Sequence, residues 1–217
     1  MVPTSNQNIR PLGYSGQFAE DDHQIIFSEL WRWRESQYIQ KLKENKQAGH
    51  LLSFIKGLRF SSLLIYTIRK RLDNTGLDAC WGHILHETKG DCSRESDIII
   101  YNNGMIQQWN DHKVPVMDFR FVSNCNAKIV ISCKAERLKP STIDIDYCNA
   151  LKEYATETWL VAECCSYRSL DLIKKAAHEA GYKYFLCLYC YDKQQKPILQ
   201  YADWCEFIRK IDQCKNP

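Results

Sequence analysis

Residues 127–135, AKIVISCKA, constrain the fold more than any other stretch. Ile129, Val130, Ile131, Cys133 and Ala135 form a short, almost unbroken apolar run, the pattern of a strand covered on both faces. Side chains alternate along a strand, so Val130, Ser132 and Lys134 share one face and Ile131, Cys133 and Ala135 the other. A lysine in such a strand is costly to bury unless it meets a negative partner. A central strand with layers on both sides, and a carboxylate near Lys134, are therefore the first two expectations.

The flanking sequence supplies the layers. Over 23–45, Phe27, Trp31, Tyr38 and Leu42 recur at helical spacing. Over 51–72, Leu51, Ile55, Leu58, Ile65, Ile68 and Leu72 do the same. ACWGHILHET (79–88) and SDIIIYNNG (96–104) read as strands, and an edge strand is expected over 116–122. Pro140-Ser141 opens a helix in which Ser141 and Asp144 fit an S-x-x-D start, with Tyr147, Leu151 and Tyr154 as its apolar face. TWLVAECC (158–165) is a buried strand, and Ser169 caps a helix through Ala180 that Gly181 stops. YKYFLCLYCYD (182–192) is a further strand and YADWCEFIRKI (201–211) a closing helix. The crossovers imply parallel pairing late in the chain, and the early strands a hairpin or meander. The expected class is α/β, a mixed central sheet flanked by helices with an N-terminal helical extension. Residues 1–22 are expected to be a loose arm, 23–50 a basic amphipathic helix and 51–217 the α/β domain.

Composition narrows the function. The 217 residues are 45% hydrophobic and 25% charged, an ordinary globular balance. No apolar run approaches the about 20 residues of a membrane span, and the polar N-terminus lacks a signal-peptide core, so a cytoplasmic protein without a membrane partner is expected. Eleven cysteines, an odd number, read as free core thiols. Cys187 and Cys190 make a CxxC, but residues three apart in a strand point to opposite faces, which argues against zinc. His83 and His86 are a poor metal pair for the same reason. Neither a P-loop nor a G-x-G-x-x-G motif occurs. Between Ser28 and Arg71, ten Lys/Arg face three Asp/Glu, leaving the remainder of the chain net acidic. A basic half that ends in Arg69, Lys70 and Arg71 suits contact with a phosphate backbone. Trp31 and Trp33 suit either base stacking or packing and a subunit contact.

Asp97 opens the run SDIIIY. If that strand pairs with 127–135, its carboxylate joins Ser132 and Lys134, and the oxygens can hold a hard cation such as Mg²⁺. Lys134 then orients water and offsets developing negative charge. Asp118, in VPVMDFRF, is the alternative acid.

This arrangement resembles the PD-(D/E)XK nuclease superfamily, with its restriction-endonuclease-like fold. The order of the 51–72 helix, HETKGDCSRESDIIIY, IVISCKAER, the helix from Ser141 and TWLVAECC carries the resemblance over roughly 51–191. It implies that Asp97 binds metal and that Lys134 is catalytic, with Ser132 in the slot that usually holds Glu or Asp. Some restriction endonucleases with that serine draw the acid from the following helix. Asp146, twelve residues after Lys134, matches that position, with Glu136, Glu87 and Glu153 as alternatives and Asp144 better explained as a cap. The resemblance further implies a Mg²⁺- or Mn²⁺-dependent DNA endonuclease of restriction or phage-defence type, using Asp97, Ser132, Lys134 and Asp146. Arg69, Lys70 and Arg71 would then meet nucleic acid, and a homodimer or an activating partner subunit would complete the enzyme. The alternative is a catalytically degenerate module on the same fold that binds nucleic acid or a protein.

Overall fold

A computed structural model of the chain describes residues 19–44, 49–103 and 119–215. The helices are α1 (Ala19–Arg34), α2 (Gln37–Glu44), α3 (Gly49–Leu72), α4 (Ile145–Leu151), α5 (Leu170–Glu179) and α6 (Tyr201–Gln213). The strands are β1 (Leu77–Leu85), β2 (Ser96–Asn102), β3 (Phe119–Ser123), β4 (Ala127–Leu138), β5 (Glu157–Ser166), β6 (Tyr184–Tyr191) and β7 (Pro197–Leu199). They form one mixed sheet in the order β3-β1-β2-β4-β5-β6-β7, with β4 at its centre. β4, β5 and β6 run parallel, joined by crossovers through α4 and α5, whereas β2 lies antiparallel to both β1 and β4. The mixed sheet and the flanking helices agree with the sequence expectation.

Alternation divides the core between two faces. Ile98, Ile100, Ile129 and Ile131 pack beneath α1, α3 and α6, against Ile26, Leu64, Ile68, Trp204 and Phe207. On the other face Ile99 and Val130 meet Leu151 of α4, while Leu160 and Ala162 meet Leu170, Ile173 and Ala177 of α5. Each such buried side chain contributes roughly 1.5–3 kcal/mol of transfer free energy, so both layers are needed to hold the sheet. The helix α1 belongs to this core through Ile26 and Leu30. Both its tryptophans are half-buried, Trp31 against Phe27 and Trp33 beneath the Arg59 guanidinium.

Four local expectations change. The helix over 23–45 is broken at Glu35 and Ser36 into α1 and α2. Ser141 lies in a 3₁₀ turn, Pro140–Thr142, and Asp144 starts α4 by accepting the Tyr147 N–H at 2.8 Å. A short strand, β7, extends the sheet after β6. Contrary to the reading of the apolar runs, α3 is the one helix among the described residues long and apolar enough to cross a membrane. Its apolar stripe, including Phe60, Leu64, Ile68 and Leu72, is instead buried against the sheet. Glycine is required at position 82, where β1 bulges and pairs with β3. With φ at 153° and the Arg120 carbonyl against it, any Cβ would collide with that backbone.

A buried ion pair joins the layers. Arg34, at the end of α1, donates from Nε to Glu163 Oε1 at 2.6 Å and from Nη2 to the Ala135 carbonyl at 2.8 Å. The Tyr189 hydroxyl donates to the same Glu163 oxygen at 2.9 Å. Glu163 is only 2% exposed, so losing its cation strands a charge in the core. Arg34→Met should lower stability by about 3–5 kcal/mol in urea denaturation. Adding Glu163→Gln should recover part of the loss, and an unchanged single variant would refute the role assigned to the pair.

Candidate active site

The β2–β4 register pairs Ile98 with Ile131 and Ile99 with Val130, which sets Asp97 across from Ser132. Cross-strand partners of an antiparallel pair point to the same face, and Lys134 follows two residues on. Asp97, Ser132 and Lys134 therefore emerge together on the α4 side of the sheet. The Cys133 N–H donates to Asp97 Oδ2 at 2.7 Å, which ties the carboxylate to the strand that carries the lysine. Lys134 Nζ lies 5.9 Å from the centre of the Tyr147 ring on α4, a cation–π arrangement. The Tyr147 hydroxyl donates in turn to the Glu95 carbonyl at 3.1 Å, closing α4 over the end of β2.

Electrostatics around Asp97 oppose one another. Burial raises its pKa above the usual carboxylate value; the Cys133 N–H and the charge of Lys134 pull it down, and Glu95 adds to the rise. The Cys133 thiol is pushed well up by burial and by Asp97. Burial likewise raises Tyr147 and Tyr182, and the negative field of Asp97 adds to both. Ser132 is 1% exposed. Its Oγ lies toward the Tyr182 hydroxyl but makes no hydrogen bond among the described residues. A buried hydroxyl left unpaired costs about 1–3 kcal/mol, so it is open to a ligand.

A hard cation fits this donor set. One carboxylate and one orphaned hydroxyl on a single face suit Mg²⁺, which keeps several waters and takes much of its remaining coordination from a bound phosphate. The second acid expected from the sequence is not beside them. Asp146 is exposed in the first turn of α4 and makes no ion pair or hydrogen bond with Asp97 or Lys134. Glu136 was expected on the face of Lys134, but between Lys134 and Arg137 three steps of β4 match two of β5. That bulge breaks the alternation, and Glu136 pairs with Lys56 of α3 at 3.0 Å. Glu87 accepts hydrogen bonds from Ser123 and Cys125, and Glu153 pairs with Lys89 at 2.7 Å. Asp118 lies outside the described residues.

The basic run at the end of α3 is held internally. Arg69 binds Asp78 at 2.8 Å, while Lys70 and Arg71 reach Asp22 at 2.9 and 3.8 Å. Asp78 also accepts from the Tyr101 hydroxyl at 3.0 Å and faces Arg120 at 3.5 Å. These carboxylates neutralise much of the patch that the linear charge count displays. Sequence reasoning missed Glu95, Tyr147 and Tyr182 as neighbours of Asp97. Tyr147 carried a signal, its place on the apolar face of α4, but was read as packing alone.

No protein-family model matches the sequence, and no curated protein matches it. Solved structures match by shape. NucC from P. aeruginosa ATCC27853, in its cAAA-bound form, superposes with a TM-score of 0.57 at 12% identity, covering 94% of this chain and 92% of that one. NucC from E. coli MS115-1, also cAAA-bound, gives a TM-score of 0.56 at 11% identity with 94% and 92% covered. Identity this low shows a common fold and leaves the chemistry to be argued from the site. The seven-stranded mixed sheet with its flanking helices is the restriction-endonuclease-like fold, shared with NucC.

Proposed function

We propose that this protein is a metal-dependent DNA endonuclease of phage-defence type, acting in the cytoplasm. The observation that carries the reading is the convergence of Asp97, the unpaired Ser132 hydroxyl and Lys134 on one face of β2 and β4. The fold shared with NucC supports it. Bound Mg²⁺ or Mn²⁺ would supply Lewis acidity toward a scissile phosphate and lower the pKa of a bound water. Asp97 offers the anionic oxygen that holds the ion, kept in place by the Cys133 N–H. Ser132 offers a neutral oxygen. Lys134, steadied over Tyr147, orients water and offsets charge on the phosphate. Asp146 serves as second acid only if α4 turns that side chain toward the ion. Both NucC structures hold cAAA, so a small-molecule trigger or a partner subunit belongs to the proposal, as does assembly into at least a dimer. Arg69, Lys70 and Arg71 reach DNA only by giving up their carboxylates.

Among the described residues, Asp97 is the one carboxylate placed beside Lys134, and serine occupies the slot of the other. A degenerate module would bind nucleic acid or protein through the same fold without cutting it.

Supercoiled plasmid incubated with Mg²⁺ or Mn²⁺ separates the two. The nuclease should nick it, chelator should stop the reaction, and Lys134→Ala should slow it by about 10²-fold or more. Undiminished cutting by Lys134→Ala would remove the proposed role of the lysine. Salt-sensitive DNA binding without metal uptake or cutting would favour the module. Asp97 gives a second prediction through stability. Because burial raises its pKa, the acid favours the folded state below its unfolded pKa, and that contribution is lost as pH rises through the folded value. Without metal at neutral pH, Asp97→Asn should therefore raise Tm by a few degrees, about 2–4 °C for each kcal/mol in a chain of this size. The gain should shrink in acid. It should vanish or reverse when saturating Mg²⁺ stabilises the parent protein alone, and a lower Tm in metal-free buffer would contradict the burial argument.

A further inference from the structure

Three cysteines that strict strand alternation would separate lie together between β5, β6 and α5. The Sγ of Cys165 is 3.3 Å from that of Cys190 and 3.5 Å from that of Cys187, and Cys187 and Cys190 are 4.0 Å apart. All three residues are completely buried. The sequence reading placed Cys187 and Cys190 on opposite faces, and the structure corrects it. Leu188 and Tyr189 both turn into the core beneath α1 and α6, so Cys187 and Cys190 both return to the α5 side. β5 breaks alternation at the same level, with Ala162 and Cys165 both facing α5. The pairs Ala162–Cys187 and Cys165–Cys190 thereby stay in register. Two neighbouring strands depart from their regular period together, and a triangle of sulfurs results.

We propose that Cys165, Cys187 and Cys190 bind a thiophilic metal ion of the zinc or copper(I) class, locking β5 to β6 beneath α5. Soft thiolates select such ions. Sulfurs around a tetrahedral zinc at about 2.3 Å stand about 3.8 Å apart, and the three observed separations bracket that spacing. Copper(I) takes three thiolates alone, whereas zinc adds a fourth, non-cysteine donor. The surrounding side chains of Leu138, Leu160, Leu170 and Ile173 are apolar and do not compete with the sulfurs as ligands. The thiols lie within hydrogen-bond reach of one another, and Cys187 also approaches the Tyr189 carbonyl at 3.2 Å. Binding replaces three S–H bonds by three metal–sulfur bonds and releases the three protons to solvent, without redox change. The charge of Arg137, which acts on Cys165, offsets part of the negative charge that a three-thiolate complex retains.

The site stands apart from the nuclease reading and is tested without it. Full-length protein is produced under reducing, anaerobic conditions in medium supplemented with zinc, cadmium or copper, and refolded samples are titrated with Cd²⁺ or Cu(I). Native mass spectrometry and the ultraviolet thiolate-to-metal band are the readouts. One equivalent per chain and a higher Tm than the metal-free protein are expected. Uptake of Zn²⁺ or Cd²⁺ assigns the zinc class, and uptake of Cu(I) alone the copper class. Replacing the exposed Cys92 and Cys125 by serine should leave the band intact, whereas Cys187→Ala with Cys190→Ala should abolish it. Folded parent protein that takes up neither ion, by growth or by titration, overturns the proposal. So does a band that follows Cys92 and Cys125. Because the parent protein carries the decisive measurement, a core variant that fails to fold does not blunt the test.

Discussion

The guanidinium of Arg34 holds the centre of the sheet in an irregular form. It reaches the Ala135 carbonyl, inside the bulge that follows Lys134, and Glu163, where β5 leaves alternation. Glu163 takes the Tyr189 hydroxyl, where β6 does the same. One buried cation thus sits beside the departures of three adjacent strands from regular pleating. A buried carbonyl in a bulge and a carboxylate in an apolar layer would each be costly alone, and the one guanidinium satisfies both. The helix α1 is in this way tied to the strand that presents Lys134, although it lies on the opposite side of the sheet.

The polar face of β2 and β4 illustrates why a site of this kind is expensive to keep. Asp97 is half-buried, and its desolvation is only partly relieved by one backbone N–H and a nearby ammonium. Ser132 is buried without a hydrogen bond. On the reverse of the same strands Ile98, Ile100, Ile129 and Ile131 pack into an apolar core. Unmet polarity gathered at one spot of the sheet is what a preorganised binding site looks like before its ligand arrives.

Much of this was legible in the sequence. Alternation alone put Ser132 and Lys134 on one face, and the apolar run after Asp97 identified the strand that would bring a carboxylate to them. The failures share a physical origin. Glu136 and Cys190 were misplaced because alternation was extended through a bulge and through the paired irregularities of β5 and β6, beside which Arg34, distant in sequence, is bound. The basic run 69–71 read as a free patch because Asp22 and Asp78, the acids that quench it, approach only in the folded chain. Three-residue β7 left no periodic trace. Asp146 was chosen by its spacing from Lys134, and spacing says nothing about the direction in which a short helix turns a side chain.

The outermost strands, β3 and β7, carry one more consequence. They are five and three residues long, β7 begins with a proline, and β3 is seated on β1 through a glycine that leaves no room for a side chain. Edges this brief expose few unpaired backbone groups to template a foreign strand. Growth of the sheet across molecules, the route to domain swapping and fibres, is therefore disfavoured among the described elements. A second chain meets this one more readily through helical surfaces, where Leu51, Phe54 and Tyr66 stand outward along α3.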